Sequence, residues 1–156
     1  MGNICWLASY PKSGNTWLRA FLANLVADTG QPLPLAELSR YCEDEALPED
    51  YSALAMEPSA QLSMEAISRL RPQVHQRIAA RHPATVFVKT HNMFGSYDGY
   101  PMHNVDVTAT AIYVVRNPLD VTVSLANHFG LSVDQAIEYM GSDNAATLND
   151  KLFVAQ

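Results

Sequence analysis

Cysteine is scarce: Cys5 and Cys42 are the only two in 156 residues. That count excludes a disulfide framework and a four-cysteine zinc site, and makes a reducing, cytoplasmic setting the expectation. Basic residues are outnumbered, 10 Lys and Arg against 16 Asp and Glu, and a net charge of −6 speaks against a general nucleic-acid surface. A small polyanion stays within reach, because a pocket needs only a few placed cations. The chain has no basic segment leading into an apolar stretch, so no signal peptide is expected. It has no run of about 18 apolar residues, so no membrane span is expected. Internal repeats and low-complexity tracts are absent. The length suits one domain over residues 1–156, large enough for a proper core.

What is present is organised around Ser9-Tyr10-Pro11-Lys12-Ser13-Gly14-Asn15-Thr16-Trp17. An apolar run over residues 4–8 leads in, and Trp17, Leu18, Phe21, Leu22, Leu25 and Val26 recur at helical spacing on the way out. The pattern predicts a strand covered on both faces, a tight loop, and a helix over residues 15–28 with those apolar residues as one buried stripe. A helix start presents unpaired N–H groups and a positive dipole end, which hold anions. Lys12 adds a full charge, Ser13 and Thr16 add hydroxyl donors, and Gly14 lets backbone approach a ligand. The loop departs from the ATPase pattern G-x-x-x-x-G-K-[ST], since Trp6 and Pro11 stand at the two glycine positions.

Further along, residues 29–62 carry four prolines and an acidic stretch over 37–50, the pattern of a binding loop or lid with short helices near residue 35 and after Ser59. Met64, Ile67, Leu70, Val74 and Ile78 have helical spacing, which Pro72 is expected to divide into two helices. A second strand is expected over residues 84–90, a loop over 92–106, and a third strand over 108–115. Asn117 and Pro118 have the types of a helix cap and first turn, with Gly130 as the stop. Ser132 and Gln135 have capping-box spacing for another helix ending near Gly141. Strands alternating with helices predict an α/β fold with a parallel sheet. Ligands in such folds bind at the carboxyl ends of strands, which puts Lys12, His91 and Arg116 on one rim.

The first motif resembles the 5′-phosphosulfate loop, roughly T-Y-P-K-S-G-T-T-W, of the sulfotransferases that use 3′-phosphoadenosine 5′-phosphosulfate (PAPS). Tyr113-Val114-Val115-Arg116-Asn117-Pro118-Leu119-Asp120-Val121-Thr122-Val123-Ser124 resembles their 3′-phosphate segment, Y-x-x-R-N-P-x-D-x-x-x-S. Lys89-Thr90-His91 resembles their K-T-H segment. The resemblance implies a P-loop-like three-layer fold, a parallel sheet flanked by helices. It implies that Lys12, Ser13, Gly14, Asn15, Thr16, Trp17, Arg116 and Ser124 bind PAPS. Trp17 would stack on adenine, or else be a core aromatic. His91 would be the general base, with Lys12 and Lys89 at the transferring sulfuryl group. A histidine suits that task, since its ordinary pKa of about 6.5 lies near working pH. The other histidines, His75, His82, His103 and His128, are read as structural.

The implied reaction is in-line transfer of a sulfuryl group from PAPS to a hydroxyl or amine of a small molecule, with no metal. No acidic residue stands in a convincing magnesium-binding position, which with the missing glycines weighs against a kinase. The resemblance covers residues 3 to about 130 and departs after that. The family is typically nearer twice this length and carries a later R-K-G-x-x-G-x-W-K-like segment that this chain lacks. The expectation is a fragment, or a chain that completes its site with a second copy or partner, exposing an apolar patch meanwhile. A non-catalytic nucleotide-binding or partner-binding module derived from the same fold is the alternative.

Overall fold

The computed structural model describes residues 3–142, 145 and 154. The order is β1 (Ile4–Ser9), α1 (Asn15–Ala27), β2 (Cys42–Asp44), α2 (Pro48–Ala55), α3 (Met64–Ala80) and β3 (Val86–Thr90). A small hairpin of β4 (Ser96–Tyr97) and β5 (Tyr100–Pro101) follows, then β6 (Thr108–Val114), α4 (Pro118–Phe129) and α5 (Val133–Met140). The main sheet runs β2-β3-β1-β6, and every pairing in it is parallel.

Successive β1 side chains point to opposite faces, and each face has its own cover. Ile4 and Trp6 join Val86, Val88, Ile67, Val74 and Ile78 in the core beneath α3. Cys5 and Leu7 join Cys42, with Phe87 and the α1 residues Leu18 and Leu22 packed against them. The result is the expected three layers, helices on both faces of a parallel sheet. Burial of each aliphatic such as Ile4, Leu7 or Val88, all 0 % exposed, contributes roughly 1.5–3 kcal/mol. Trp6 keeps its polar handle satisfied, its Nε1–H donating to Thr108 Oγ1 at 2.8 Å. No helix among the described residues is long and apolar enough to cross a membrane.

Local signals held. Asn117 caps α4 through the Leu119 N–H, Pro118 sits at the first helical position, and Gly130 ends the helix at φ +66°. Ser132 and Gln135 form a complete capping box on α5. Three expectations are corrected. The helix over Met64–Ala80 is continuous through Pro72. Pro72 removes one i→i−4 bond, but Ile67, Val74, Ile78 and Ala79 on both sides of it are buried in the core, which holds the helix together.

The second correction is the face of α1. Asn15 and Ala23 are its buried residues, with Leu18 and Leu22 half-buried, while Trp17, Phe21, Leu25 and Val26 are exposed. The helix is apolar nearly all round, so spacing alone could not choose which stripe meets the sheet.

Third, the segment over residues 29–62 is no free lid. Its acidic part contains β2, unforeseen from the sequence, whose Cys42 and Asp44 lie opposite Phe87 and Lys89. Asp50 is gripped by Arg77 and Arg81, and Glu43 by Arg81 and His82. Each such partly exposed pair is worth under about 1 kcal/mol, but together they tie the segment to α3. The sequence reading of the last dozen residues lies almost wholly outside the described residues.

Candidate active site

The parallel sheet puts the carboxyl ends of β1, β3 and β6 on one rim, and the three motifs follow those strands. After Ser9 the chain turns sharply, the Ser13 N–H donating to Tyr10 O at 3.2 Å. Lys12 adopts φ +66° and Gly14 φ +111°. A side chain at φ +111° is strained whatever space surrounds it, so Gly14 is required by backbone rather than by crowding. Gly14 is the N-cap of α1, and no side-chain hydrogen bond caps that helix. Its first-turn N–H groups therefore remain for an anion. The Lys12 ammonium makes no hydrogen bond or ion pair with a described residue.

Arg116 crosses to this loop and donates from Nη1 to Lys12 O at 3.2 Å. The first and second motifs thus share one place, and Arg116 forms no ion pair among the described residues. Beside them lies an open cleft of about 220 Å³ lined by Tyr10, Ser13, Tyr113, Arg116, Pro118 and Met140, among others. Val114, Val115 and Val121 complete a mostly apolar lining in which Arg116 is the one charged residue.

His91 follows β3 and leans on the base of the same loop. Its Nδ1 lies 2.8 Å from Ser9 O and 3.2 Å from Ser9 Oγ. The carbonyl accepts, so Nδ1 carries the proton and Nε2 keeps its lone pair. Burial, and secondarily the charge of Lys89, push the His91 pKa below the ordinary histidine value. A neutral imidazole with a free Nε2 can accept a proton. Lys89 is held by Asp44, Nζ to Oδ2 at 2.9 Å, across the β2–β3 register.

The remaining candidates differ in setting. The Asn15 carboxamide turns inward, donating to Leu7 O at 2.7 Å and Ser9 Oγ at 3.3 Å. Its side chain thus ties the start of α1 to the end of β1. Ser13 is buried and Thr16 exposed. Trp17 is 72 % exposed, so the core alternative is excluded; it lies parallel to Phe21, ring centroids 5.9 Å apart and 7° between planes. Ser124 is half-buried on α4, and no hydrogen bond joins it to the other candidates. His75 bonds Glu45, His82 bonds Glu43, His103 bonds Thr90, and His128 packs against Phe129. Sequence reasoning missed Ser9 as the support of His91, and Asp44 as the partner of Lys89. No local signal marks either, since both depend on strand register. Among the described residues no group of three or more His, Cys, Asp or Glu is arranged to hold a metal ion.

No curated protein matches the chain significantly. The family model described as the sulfotransferase domain matches residues 4–150. That range holds the phosphate-sized loop, the His91 segment and the Arg116 segment. With most of its length matched, the chain belongs to the sulfotransferase-domain family, a family of transferases of the sulfuryl group.

Proposed function

We propose that the chain transfers the sulfuryl group of PAPS to a hydroxyl or amine of a small molecule. One observation carries this reading: a neutral histidine, fixed at Nδ1 by Ser9 O, stands beside an uncapped helix start that carries Lys12. His91 Nε2 takes the acceptor's proton as the acceptor oxygen or nitrogen bonds to sulfur and the sulfur–oxygen bond to the donor's phosphate breaks. Lys12 and the N–H groups of Gly14, Asn15 and Thr16 stabilise the charge that develops on the bridging oxygen. Arg116 and Ser124 hold the 3′-phosphate, and the exposed Trp17 face takes adenine. Lys89, steadied by Asp44, lends positive charge near His91.

Radiolabelled transfer from PAPS to a panel of phenols, alcohols and amines is the test. His91→Ala should lower turnover about 10²-fold or more and leave PAPS affinity near that of the unaltered chain. Equal loss of both would make His91 structural. The Asp44 carboxylate beside Lys89 favours a second reading, a PAPS-binding module without turnover, because it offsets one of the few cations of the rim. Calorimetry showing tight PAPS binding with no transfer to any acceptor would select it.

A further inference from the structure

Beneath His91, on the α3 side of the sheet, lies a buried polar chain that the proposed reaction does not use. His75 is 0 % and Glu45 1 % exposed. The Asn104 N–H donates to His75 Nδ1 at 3.2 Å, so that nitrogen bears no proton. His75 Nε2–H therefore donates to Glu45 Oε2 at 2.7 Å. The other carboxylate oxygen, Oε1, accepts from Asn92 Nδ2 at 2.8 Å. Asn92 in turn donates its N–H to Thr90 Oγ1 at 3.1 Å. The two neighbours of His91 in the chain, Thr90 and Asn92, are thus both buried and both joined to this system.

A buried carboxylate is expensive, and an apolar side chain of similar volume would often serve stability as well. Glu45 is nevertheless kept ionised. Burial, the largest influence, raises its pKa, but the His75 hydrogen bond, the charge of Arg71 and a Thr90 hydrogen bond hold it below the ordinary range. The carboxylate's bonds run to α3 on one side and to the end of β3 on the other. The same strand end is held twice more from β2: Asp44 Oδ2 accepts from Lys89 Nζ, and the Glu45 N–H donates to Lys89 O at 3.5 Å.

We propose that Glu45 and Asn92 are positioning residues for His91: the chain His75–Glu45–Asn92 fixes the end of β3 so that the His91 ring stays on the Ser9 carbonyl with Nε2 free. This rests on the reading of His91 as general base. A base displaced by about 1 Å can lose about 10²-fold in rate, which is the reason to fix a strand end with a buried charge.

The experiment uses the full chain with Asn92→Ala and Glu45→Gln, and reads three quantities. These are kcat and KM with PAPS and an acceptor, the ¹⁵N signals of the His91 ring, and the thermal melt. Asn92→Ala removes the link, takes one donor from the Glu45 carboxylate and leaves its His75 partner in place. It should lower kcat roughly 10- to 100-fold, leave KM for PAPS unchanged, and move the ring signals from a single tautomer toward a mixture. Glu45→Gln offers one oxygen where two donors must be met, and should shift the ring in the same direction. If Glu45→Gln fails to fold, Asn92→Ala decides. An Asn92→Ala chain that is fully folded, with unchanged kcat and unchanged ring signals, overturns the proposal. So does a rate loss that matches the loss of folded protein. If the unaltered chain transfers sulfate to nothing, the base reading falls by itself, while the ring signals of the variants still decide whether this chain of bonds holds His91.

Discussion

On the proposed reading His91 is the general base, and its surroundings set the pH at which it can act. Burial disfavours the imidazolium, and Lys89 repels it. The Ser9 carbonyl and Asp44 pull the other way, and Arg19 adds a smaller repulsion. The net direction is a pKa below about 6.5, the ordinary value. A general base must be unprotonated, so kcat/KM should rise with pH through a midpoint below that value and then level off. Lys89→Met removes a neighbouring positive charge and should move the midpoint up, whatever it does to the maximal rate. A pH–rate profile of both chains checks this. A midpoint that stays in place would mean the Asp44 pair already cancels Lys89 as seen by His91. At this scale the sequence was legible where the residue types carry chemistry: Lys12, His91 and Arg116 meet at one rim, as their places after strands imply. The supports were not legible, because the Ser9 carbonyl has no side-chain signature and the Asp44–Lys89 pair depends on register.

Among the elements, what the sequence states locally is what the structure keeps. The caps of α4 and α5 and the helical spacing in α3 depend on residues within one or two turns of each other. The face of α1 and the existence of β2 depend on what lies across the fold. A helix apolar all round gives no preferred face, and a strand of three residues, Cys42–Asp44, shows no alternation. Pro72 is the informative misreading. A proline in a helix interior costs up to about 3 kcal/mol relative to alanine, yet α3 runs on unbroken past it because the helix is anchored on both sides. Asn104 Nδ2 donates to Pro72 O at 3.0 Å, a bond that alanine would keep. Pro72→Ala should therefore stabilise the chain by about 1–3 kcal/mol. Differential scanning calorimetry should find a higher Tm, by roughly 2–4 °C for each kcal/mol at this size. A lower Tm would show that the proline ring is itself part of the packing.

For the whole molecule, the two edges of the main sheet are unlike. The β2 edge is three residues long and its Glu43 is engaged in ion pairs. The β6 edge is seven residues, Thr108–Val114, with neither a charge nor a proline. Residues 109–113 are all exposed, and since alternate residues face opposite ways, neither face of β6 is covered by the described residues. Parallel strands are normally covered on both faces, as β1 is. Ile112, Tyr113 and Val115 are left open there, and α4 adds Leu119 and Val123 as exposed apolar residues. A long, uncharged, apolar edge is a template for another strand, and a self-complementary one invites a second copy. The isolated chain should therefore associate as its concentration rises, and light scattering across a dilution series should show it. Ile112→Lys puts a charge on the edge at a partly exposed position, and should return the chain to a monomer. The same series run with PAPS tests whether the site needs that company. On the proposed reading Lys12 and Arg116 meet PAPS in an open, solvent-screened setting, so binding should be weak in the Ile112→Lys monomer and tighter where copies pair. A chain that stays monomeric at every concentration and binds PAPS tightly would show that the open edge is tolerated and the rim is sufficient alone.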